Sequence, residues 1–120
     1  MPYFTITLSS GEREWSRFRV RLMCEMQDAA GSRTGFAASE DVRGGECVLT
    51  TGECSMIRLF VYAVPESLPA ERRVYLMHDF DAVLRVRYGG RTISEERLEI
   101  NNWGGTSAER LYDGQGRIGR

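Results

Sequence analysis

The side chains best suited to acid–base chemistry are His78, the one histidine of the chain, and Asp79 directly after it. An imidazole beside a carboxylate is the proton-handling part of Ser-His-Asp and Cys-His mechanisms, so an enzyme of either kind would work through this pair, with Cys54 as an alternative partner. No serine lies in a nucleophile-elbow sequence. A lone histidine at a strand end is more often a surface or capping residue. We therefore expect no catalytic residue, no cofactor and no enzymatic activity.

The three cysteines are Cys24, Cys47 and Cys54. With His78 they could in principle hold zinc, but the short paired spacings of structural zinc ligands are absent, and we expect no metal site. Cys24 falls on the apolar register of a predicted strand and is more simply a small core residue. Cys47 and Cys54 flank a predicted turn, so a reversible disulfide between them is a minor alternative. An odd number of cysteines favours a reducing compartment, and we predict a cytoplasmic protein.

Asp79 and Asp81 could offer two oxygens to calcium at the end of a sandwich, with Asp28 or Asp41 as further ligands. Calcium takes six to eight hard oxygens, and no loop of this chain carries the several carboxylates that such sites use. The sequence favours the simpler interpretation, in which these are solvated charges at strand ends.

Two runs of arginine alternate with apolar residues: Arg17, Arg19 and Arg21 in one strand, Arg85 and Arg87 in another. Side by side, the two runs would form a stripe that binds anions. The alternative, which we prefer, is cross-strand pairing with glutamates such as Glu95 or Glu99.

Trp103 follows the last predicted strand, between Asn101-Asn102 and two glycines. A tryptophan among amides on a loop is typical of a site that stacks on sugars or anchors a protein partner. The alternative is a tryptophan folded over the open end of the core. With the aspartates and arginines above, the candidate binding residues are Trp103, Asn101, Asn102, Asp79, Asp81, Arg85 and Arg87.

Composition narrows the class of protein. The 120 residues are 42% hydrophobic and 28% charged, as in an ordinary folded domain, and the net charge is −1. That charge argues against nucleic acid as a partner, because such binding rests on a basic surface. All 16 basic residues are arginine, which indicates a bacterial genome bias. No apolar run is long enough to span a bilayer and no leader is evident, so we expect no integral membrane segment.

Period-two alternation and β-branched runs predict about eight strands. They are Tyr3 to Leu8, Arg17 to Met26, a weak strand around Gly35 to Ala38, Glu46 to Thr50, Met56 to Val64, Val74 to Met77, Phe80 to Tyr88, and Thr92 to Ile100. Residues 27–46 and 65–73 otherwise form loops. The match of residues 114–119 to the dinucleotide-binding pattern G-x-G-x-x-G is attributed to chance, because that motif needs a strand before it and a helix after it.

Two hairpins are predicted. Thr51-Gly52 would turn the fourth strand into a central fifth strand at Met56 to Val64. Gly89-Gly90 would join the last two strands. A two-residue turn there pairs Val86 with Ile93, a three-residue turn pairs Phe80 with Ile100, and a bulge near Glu95-Glu96 would reconcile the two registers.

The sequence therefore predicts an all-β protein, an antiparallel sandwich of about seven or eight strands in two sheets of four, analogous in layout to C2 and immunoglobulin sandwiches. Residues 1–112 would form the one domain and 113–120 a flexible tail. We expect a non-enzymatic interaction module that binds a protein partner or a second copy of itself through residues 27–46 and the segment around Trp103. A specific hypothesis is an accessory protein of a bacterial secretion or toxin system. The alternative is a sandwich that binds a small ligand, namely calcium, a glycan or an anionic head group.

Overall fold

The computed structural model describes residues 2–65, 80–100 and 107–119. Within these ranges the chain forms ten strands and one short helix. In chain order they are β1 (Tyr3–Ser9), α1 (Glu12–Arg17), β2 (Phe18–Gln27), β3 (Arg33–Ser39), β4 (Val42–Arg43), β5 (Glu46–Glu53), β6 (Met56–Pro65), β7 (Phe80–Tyr88), β8 (Arg91–Ile100), β9 (Ser107–Asp113) and β10 (Gly116–Ile118). In these ranges the chain contains no helix with the length and apolar character that crossing a membrane requires.

The strands form two antiparallel sheets of five. Sheet A has the order β4-β5-β1-β7-β8, and sheet B has the order β10-β9-β6-β2-β3. The predicted antiparallel sandwich is confirmed, with one strand more in each sheet than the sequence suggested. The predicted strand at Val74 to Met77 and the loop at 65–73 lie outside the described residues except for Pro65, which ends β6.

One core lies between the sheets. In β2 the alternation predicted from sequence buries Phe18, Val20, Leu22 and Cys24, while the residues between them face outward. Strands β1, β5, β6 and β7 contribute similar alternating sets, whereas β9 contributes only Tyr112 and β3 no buried residue. The largest fully buried side chains are Tyr112, Phe4, Phe80, Ile6, Leu8, Leu22, Ile57, Leu59, Leu84, Leu98, Val61 and Val86. Burying one such large apolar side chain stabilises the fold by about 1.5–3 kcal/mol.

The hairpin of β7 and β8 follows the prediction closely. Gly89 and Gly90 have φ of 61° and 83°, the paired positive values of a type I′ turn. The strands pair as in a two-residue turn beside the glycines, and Phe80 lies opposite Ile100 at the far end. The register shifts beside Val86, which lies opposite Ser94. The bulge that reconciles the registers is therefore at Ile93, not at Glu95-Glu96.

The predicted hairpin between β5 and β6 is wrong. Strand β5 continues through Thr51-Gly52 and pairs with β1 and β4 in sheet A, whereas β6 pairs with β2 and β9 in sheet B. The chain crosses from one sheet to the other at Cys54-Ser55. The Thr51 hydroxyl accepts a hydrogen bond from the Phe4 amide at 3.0 Å, a contact between residues 47 positions apart that holds β5 beside β1.

The alternating pattern that starts at Trp15 does not begin as a strand, because this residue lies in α1. Its indole nitrogen donates to the carbonyls of Ser10 at 3.1 Å and Gly45 at 2.9 Å, and its ring packs edge-on against Phe80 at 5.8 Å. Trp15 therefore closes one end of the core instead of extending β2.

Residues 27–46 were predicted as a long polar loop around a weak strand. Strands β3 and β4 occupy much of this stretch, and β3 pairs with β2 along its length. The turn between β2 and β3 is held by Asp28, whose Oδ1 accepts the amides of Ala30 and Ser32, both at 2.9 Å.

The C-terminal part of the chain adds two strands that the sequence did not predict. Strand β9 pairs with β6, and β10 returns along β9 within the segment 113–120 for which the sequence predicts a tail. Asp113 Oδ1 accepts the amides of Gln115 at 2.8 Å and Gly116 at 3.2 Å, which fixes the turn between them. The segment that matches G-x-G-x-x-G is this turn and strand β10, and no helix follows it within the described residues.

Glu96 of β8 accepts from Arg110 of β9 at 2.9 Å and thereby links the two sheets along this side.

Candidate binding face

The predicted binding residues divide into two groups. Asp79, Asn101, Asn102 and Trp103 lie outside the described residues, as does His78, so the sites predicted on them stay predictions. Asp81, Arg85 and Arg87 lie on β7 in sheet A and face outward.

Asp81 is engaged by an arginine. Arg97 of β8 donates to both of its carboxylate oxygens, from Nε at 2.8 Å and from Nη2. This hydrogen bonding lowers the pKa of Asp81 below its ordinary value. Both oxygens that calcium would use are thus occupied by a cationic side chain, and the part of the chain that is described holds no group of three metal-ligating residues.

Asp28 cannot join Asp81 at a shared site. The Ser10 hydroxyl donates to the Asp81 carbonyl at one end of the sandwich. At the other end, the Ser55 amide donates to the carbonyl of Gln27, the residue before Asp28, at 3.1 Å. The two aspartates lie at opposite ends of the fold, which removes the geometric basis of this version of the calcium site.

The two arginine runs do not form one stripe. Arg19 and Arg21 lie on β2 in sheet B, whereas Arg85 and Arg87 lie on the other sheet, and Arg17 belongs to α1. Arg85 pairs with Glu95 directly across the hairpin, with 2.7 Å between Nη2 and Oε2. Arg87 donates to the carbonyl of Gly90 at 2.7 Å. Arg85 therefore follows the preferred alternative, cross-strand pairing with a glutamate, and does not belong to an anion-binding stripe.

The cysteines are core residues. Cys24, Cys47 and Cys54 are free thiols, each buried. Burial raises the pKa of all three, that of Cys24 to about 12. A thiol with a raised pKa is a poor nucleophile because the thiolate is the reactive form. The reversible disulfide between Cys47 and Cys54, considered above as a minor alternative, is not formed in this structure. Strands β5 and β6, which would have brought the two thiols face to face as a hairpin, do not pair.

A cleft of about 390 Å³ lies on the outer face of sheet B. Adjacent rungs of β2 and β6 build it, with Arg19 opposite Val64, Arg21 opposite Tyr62, and Met23 opposite Phe60. The Phe60 and Tyr62 rings stack at 6.4 Å with 20° between their planes. The residues that line the cleft are Arg19, Arg21, Met23, Glu40, Tyr62 and Val64.

The cleft combines an apolar floor with a cation that pairs with none of the described residues. Val64 is 44% exposed, and Met23 and Tyr62 are partly exposed beside it. Arg21 is exposed and makes no ion pair or hydrogen bond with any described residue. Glu40 at the rim is likewise exposed. A guanidinium above aromatic and aliphatic side chains can bind a carboxylate while the floor buries an apolar neighbour of it.

The outer face of sheet A is different. Its central strand β1 presents Thr5 and Thr7 between the exposed Val48 and Val83. Four charges of β7 and β8 are paired there, in the bonds of Arg85 to Glu95 and of Arg97 to Asp81. A surface whose charges are already paired offers less to a partner than one with an open cation beside apolar groups.

The free edge of sheet B is a second unusual feature. Strand β3 has no charged side chain from Thr34 to Ser39 and no proline. Its central residue, Phe36, is 57% exposed, and the Arg33 guanidinium lies 4.9 Å from the ring centroid. Strand β8, the long edge of sheet A, instead carries the exposed charges of Glu95, Arg97 and Glu99.

Sequence reasoning missed both features. The run at Met56 to Val64 is so uniformly apolar that it indicates a strand buried on both faces. The signal that could have found the cleft is that Phe60, Tyr62 and Val64 share one parity along the strand, opposite to that of the buried Leu59, Val61 and Ala63.

These features define the chain as an all-β antiparallel sandwich with a cleft on the outer face of sheet B. No protein-family model and no curated protein matches it. Two crystal structures are similar in overall shape. One is a DUF4425 family protein from Bacteroides ovatus ATCC 8483, 13% identical, with 92% of this chain and 91% of that chain covered and a TM-score of 0.43. The other is a DUF4425 domain of unknown function from Bacteroides vulgatus ATCC 8482, 12% identical, with 92% and 90% covered and a TM-score of 0.45. Both TM-scores are below 0.5, so the fold assignment rests on the strand pairing of this chain.

Proposed function

We propose that this protein is a non-enzymatic interaction module that binds a protein partner through the outer face of sheet B. The observation that carries the proposal is the cleft between β2 and β6, where Arg21 has no partner among the described residues and stands beside Tyr62. On the outer face of sheet A, by contrast, Arg85 and Arg97 are engaged in ion pairs with Glu95 and Asp81.

The chemistry of the cleft favours an extended segment that carries an acidic side chain next to an aromatic or aliphatic one. The carboxylate would bind Arg21, and the apolar side chain would lie over Met23 and Tyr62. A volume of about 390 Å³ is within the range of ordinary ligand sites and is enough for one large side chain and its neighbour. A charge-assisted hydrogen bond of this kind contributes about 1.5–3 kcal/mol.

The test uses two synthetic peptides of equal length. One alternates glutamate with leucine and phenylalanine, and the other has lysine in place of glutamate. We expect the acidic peptide to bind with a dissociation constant in the range of about 10 µM to 1 mM, with amide shifts in β2 and β6, and the lysine peptide to bind far more weakly.

The matched variants are Arg21→Glu and Arg87→Glu, which reverse an exposed arginine on opposite sheets. Arg21→Glu is expected to weaken acidic-peptide binding by about tenfold or more, the equivalent of 1.4 kcal/mol, while Arg87→Glu leaves it unchanged. Equal binding of both peptides, or loss of binding in Arg87→Glu alone, would contradict the proposal.

A role beside a bacterial secretion or toxin system, a bacterial origin and a cytoplasmic location stay predictions. None of the contacts described above bears on them. The small-ligand alternative near Asp79, Asp81 and Trp103 likewise stays a prediction. Of these three residues only Asp81 is described, and its carboxylate is bound by Arg97.

A further inference from the structure

We infer that β3 is a self-pairing edge, through which two copies of this chain join into one continuous ten-stranded sheet. The two β3 strands would run antiparallel about a two-fold axis at Phe36. This inference concerns the edge of sheet B and not the cleft, so it goes beyond the proposed function.

The two sheets end in four edge strands, β4, β8, β10 and β3, which differ in how well they are protected. Strands β4 and β10 are only two and three residues long, which limits what another strand can pair with. Strand β8 is ten residues long but carries exposed charges along its length. Short edges and charged edges are the usual protection against pairing with another chain. Among the described strands, β3 alone is a long edge with neither protection.

Strand β3 consists mainly of small residues around one exposed phenylalanine. Gly35, Ala37 and Ala38 have little or no side chain, so another backbone can approach the edge without obstruction. Phe36 stands among them with more than half of its surface exposed. A long, uncharged edge with an exposed phenylalanine at its centre is open to pairing with another strand.

The charges at the two ends of β3 indicate that the strand pairing with it is the β3 of a second copy. Strand β3 begins at Arg33 and is followed by Glu40 and Asp41, so it is positive at its start and negative after its end. Antiparallel pairing of two identical strands places Arg33 of each copy beside Glu40 of the other, whereas parallel pairing would place like charges together. A two-fold interface is self-complementary in this way.

The register follows from the same strand. Phe36 is the midpoint of Arg33–Ser39, so centring the axis there pairs every residue of β3 and brings the two phenylalanine rings together. A slip by one residue would turn Phe36 to the opposite face from its counterpart, and a slip by two would leave residues at both ends unpaired.

Such a dimer places the two clefts on one face of the continuous sheet. With neighbouring strands about 4.8 Å apart, the clefts between β2 and β6 would be separated by about 19 Å across the axis. A partner with two acidic apolar segments could then occupy both clefts.

The experiment measures the mass of the full chain by sedimentation equilibrium over a range of concentrations. We expect the wild-type protein to reach twice the monomer mass of 13.6 kDa. Phe36→Lys places a charge at the centre of the edge and is expected to raise the dimer dissociation constant by about a hundredfold or more. The matched control is Val48→Lys, since Val48 is 43% exposed on β5, an inner strand of sheet A, and this variant should dimerise like the wild type.

A charge swap tests the orientation. Arg33→Glu and Glu40→Arg should each weaken the dimer, and the double variant should restore it, because the pairs form between copies. A wild-type protein that remains monomeric up to about millimolar concentration would overturn the inference, and so would a dimer that Phe36→Lys leaves intact. Arg21→Glu should leave the mass unchanged, and Phe36→Lys should leave the binding of a single acidic peptide unchanged, so failure of this inference is distinguishable from failure of the proposed function.

Discussion

Replacing Gly114 with alanine tests how tightly the C-terminal hairpin packs against sheet A. A Cβ atom at Gly114 would lie 2.7 Å from Cε2 and 3.0 Å from Cδ2 of Tyr88. The backbone of Gly114 is not in the left-handed region, so the constraint is the close approach of the ring and not the φ angle.

Tyr88 cannot easily move away. Its hydroxyl donates to the Cys54 carbonyl at 3.0 Å, and its ring packs on Phe4 with 4.4 Å between centroids. Forcing a methyl group into such a contact costs about 1–3 kcal/mol, whereas the lower entropy of the unfolded chain returns about 0.4–1 kcal/mol. The net expectation for Gly114→Ala is a loss of about 1–2 kcal/mol, or a fall in Tm of about 4–12 °C for a domain of this size.

The assay is thermal and urea unfolding followed by circular dichroism. The matched control is Gly52→Ala, where the nearest atom to a new Cβ is the Met26 sulfur at 3.9 Å, an ordinary contact. Gly52→Ala should be neutral or stabilising. Tyr88→Leu removes the ring, so Gly114→Ala should cost less in that background than in the wild type. If Gly114→Ala is as stable as the wild type, the packing argument is wrong.

Two further predictions concern titratable groups. Because Arg97 lowers the pKa of Asp81, this pair stabilises the fold above the ordinary carboxyl value of 3.8, and its contribution is lost as the pH falls through the lowered pKa. Arg97→Met should therefore reduce the acid sensitivity of Tm, by a small amount because the pair is largely exposed, and an unchanged pH profile would contradict the assignment. Burial that raises the pKa of Cys24 to about 12, with Cys47 and Cys54 also buried, predicts that iodoacetamide at about pH 8 labels no thiol in the native protein and all three in urea. Rapid labelling of the native protein would show that the thiols are accessible.

Local patterns predicted the parts of the fold that local interactions determine. The β7–β8 hairpin follows from alternation on both sides of Gly89-Gly90, and both of its registers could be read from the sequence. The position of the bulge could not, because a shift at Ile93 and a shift two residues later leave the same pairing at Phe80 and Ile100.

The errors lie where distant contacts decide. Thr51-Gly52 has the composition of a hairpin turn, but the Thr51 hydroxyl binds the Phe4 amide and β5 continues past it in sheet A. A change of sheet at this point depends on β1, far away in the chain. The placement of the two arginine runs on different sheets could not be predicted for the same reason. Alternation predicts which side of a strand Arg21 or Arg85 faces but not which sheet the strand joins.

The distribution of charge between the two sheets is the strongest reason to place binding on sheet B. A net charge of −1 describes a nearly neutral protein, yet its charges are not distributed evenly. Arg85, Glu95, Asp81 and Arg97 of β7 and β8 are paired with one another, whereas Arg21 has no partner within residues 2–65, 80–100 and 107–119 and lies beside Tyr62. A partner at β7 and β8 of sheet A would have to displace the ion pairs of Arg85 and Arg97 before making its own. A partner at the cleft would not, because the ion pair of Arg58 with Glu109 on sheet B lies outside the residues that line it. Strand β3 adds an unprotected edge to the same sheet, so the two features that distinguish this molecule from a self-contained sandwich lie on adjacent strands.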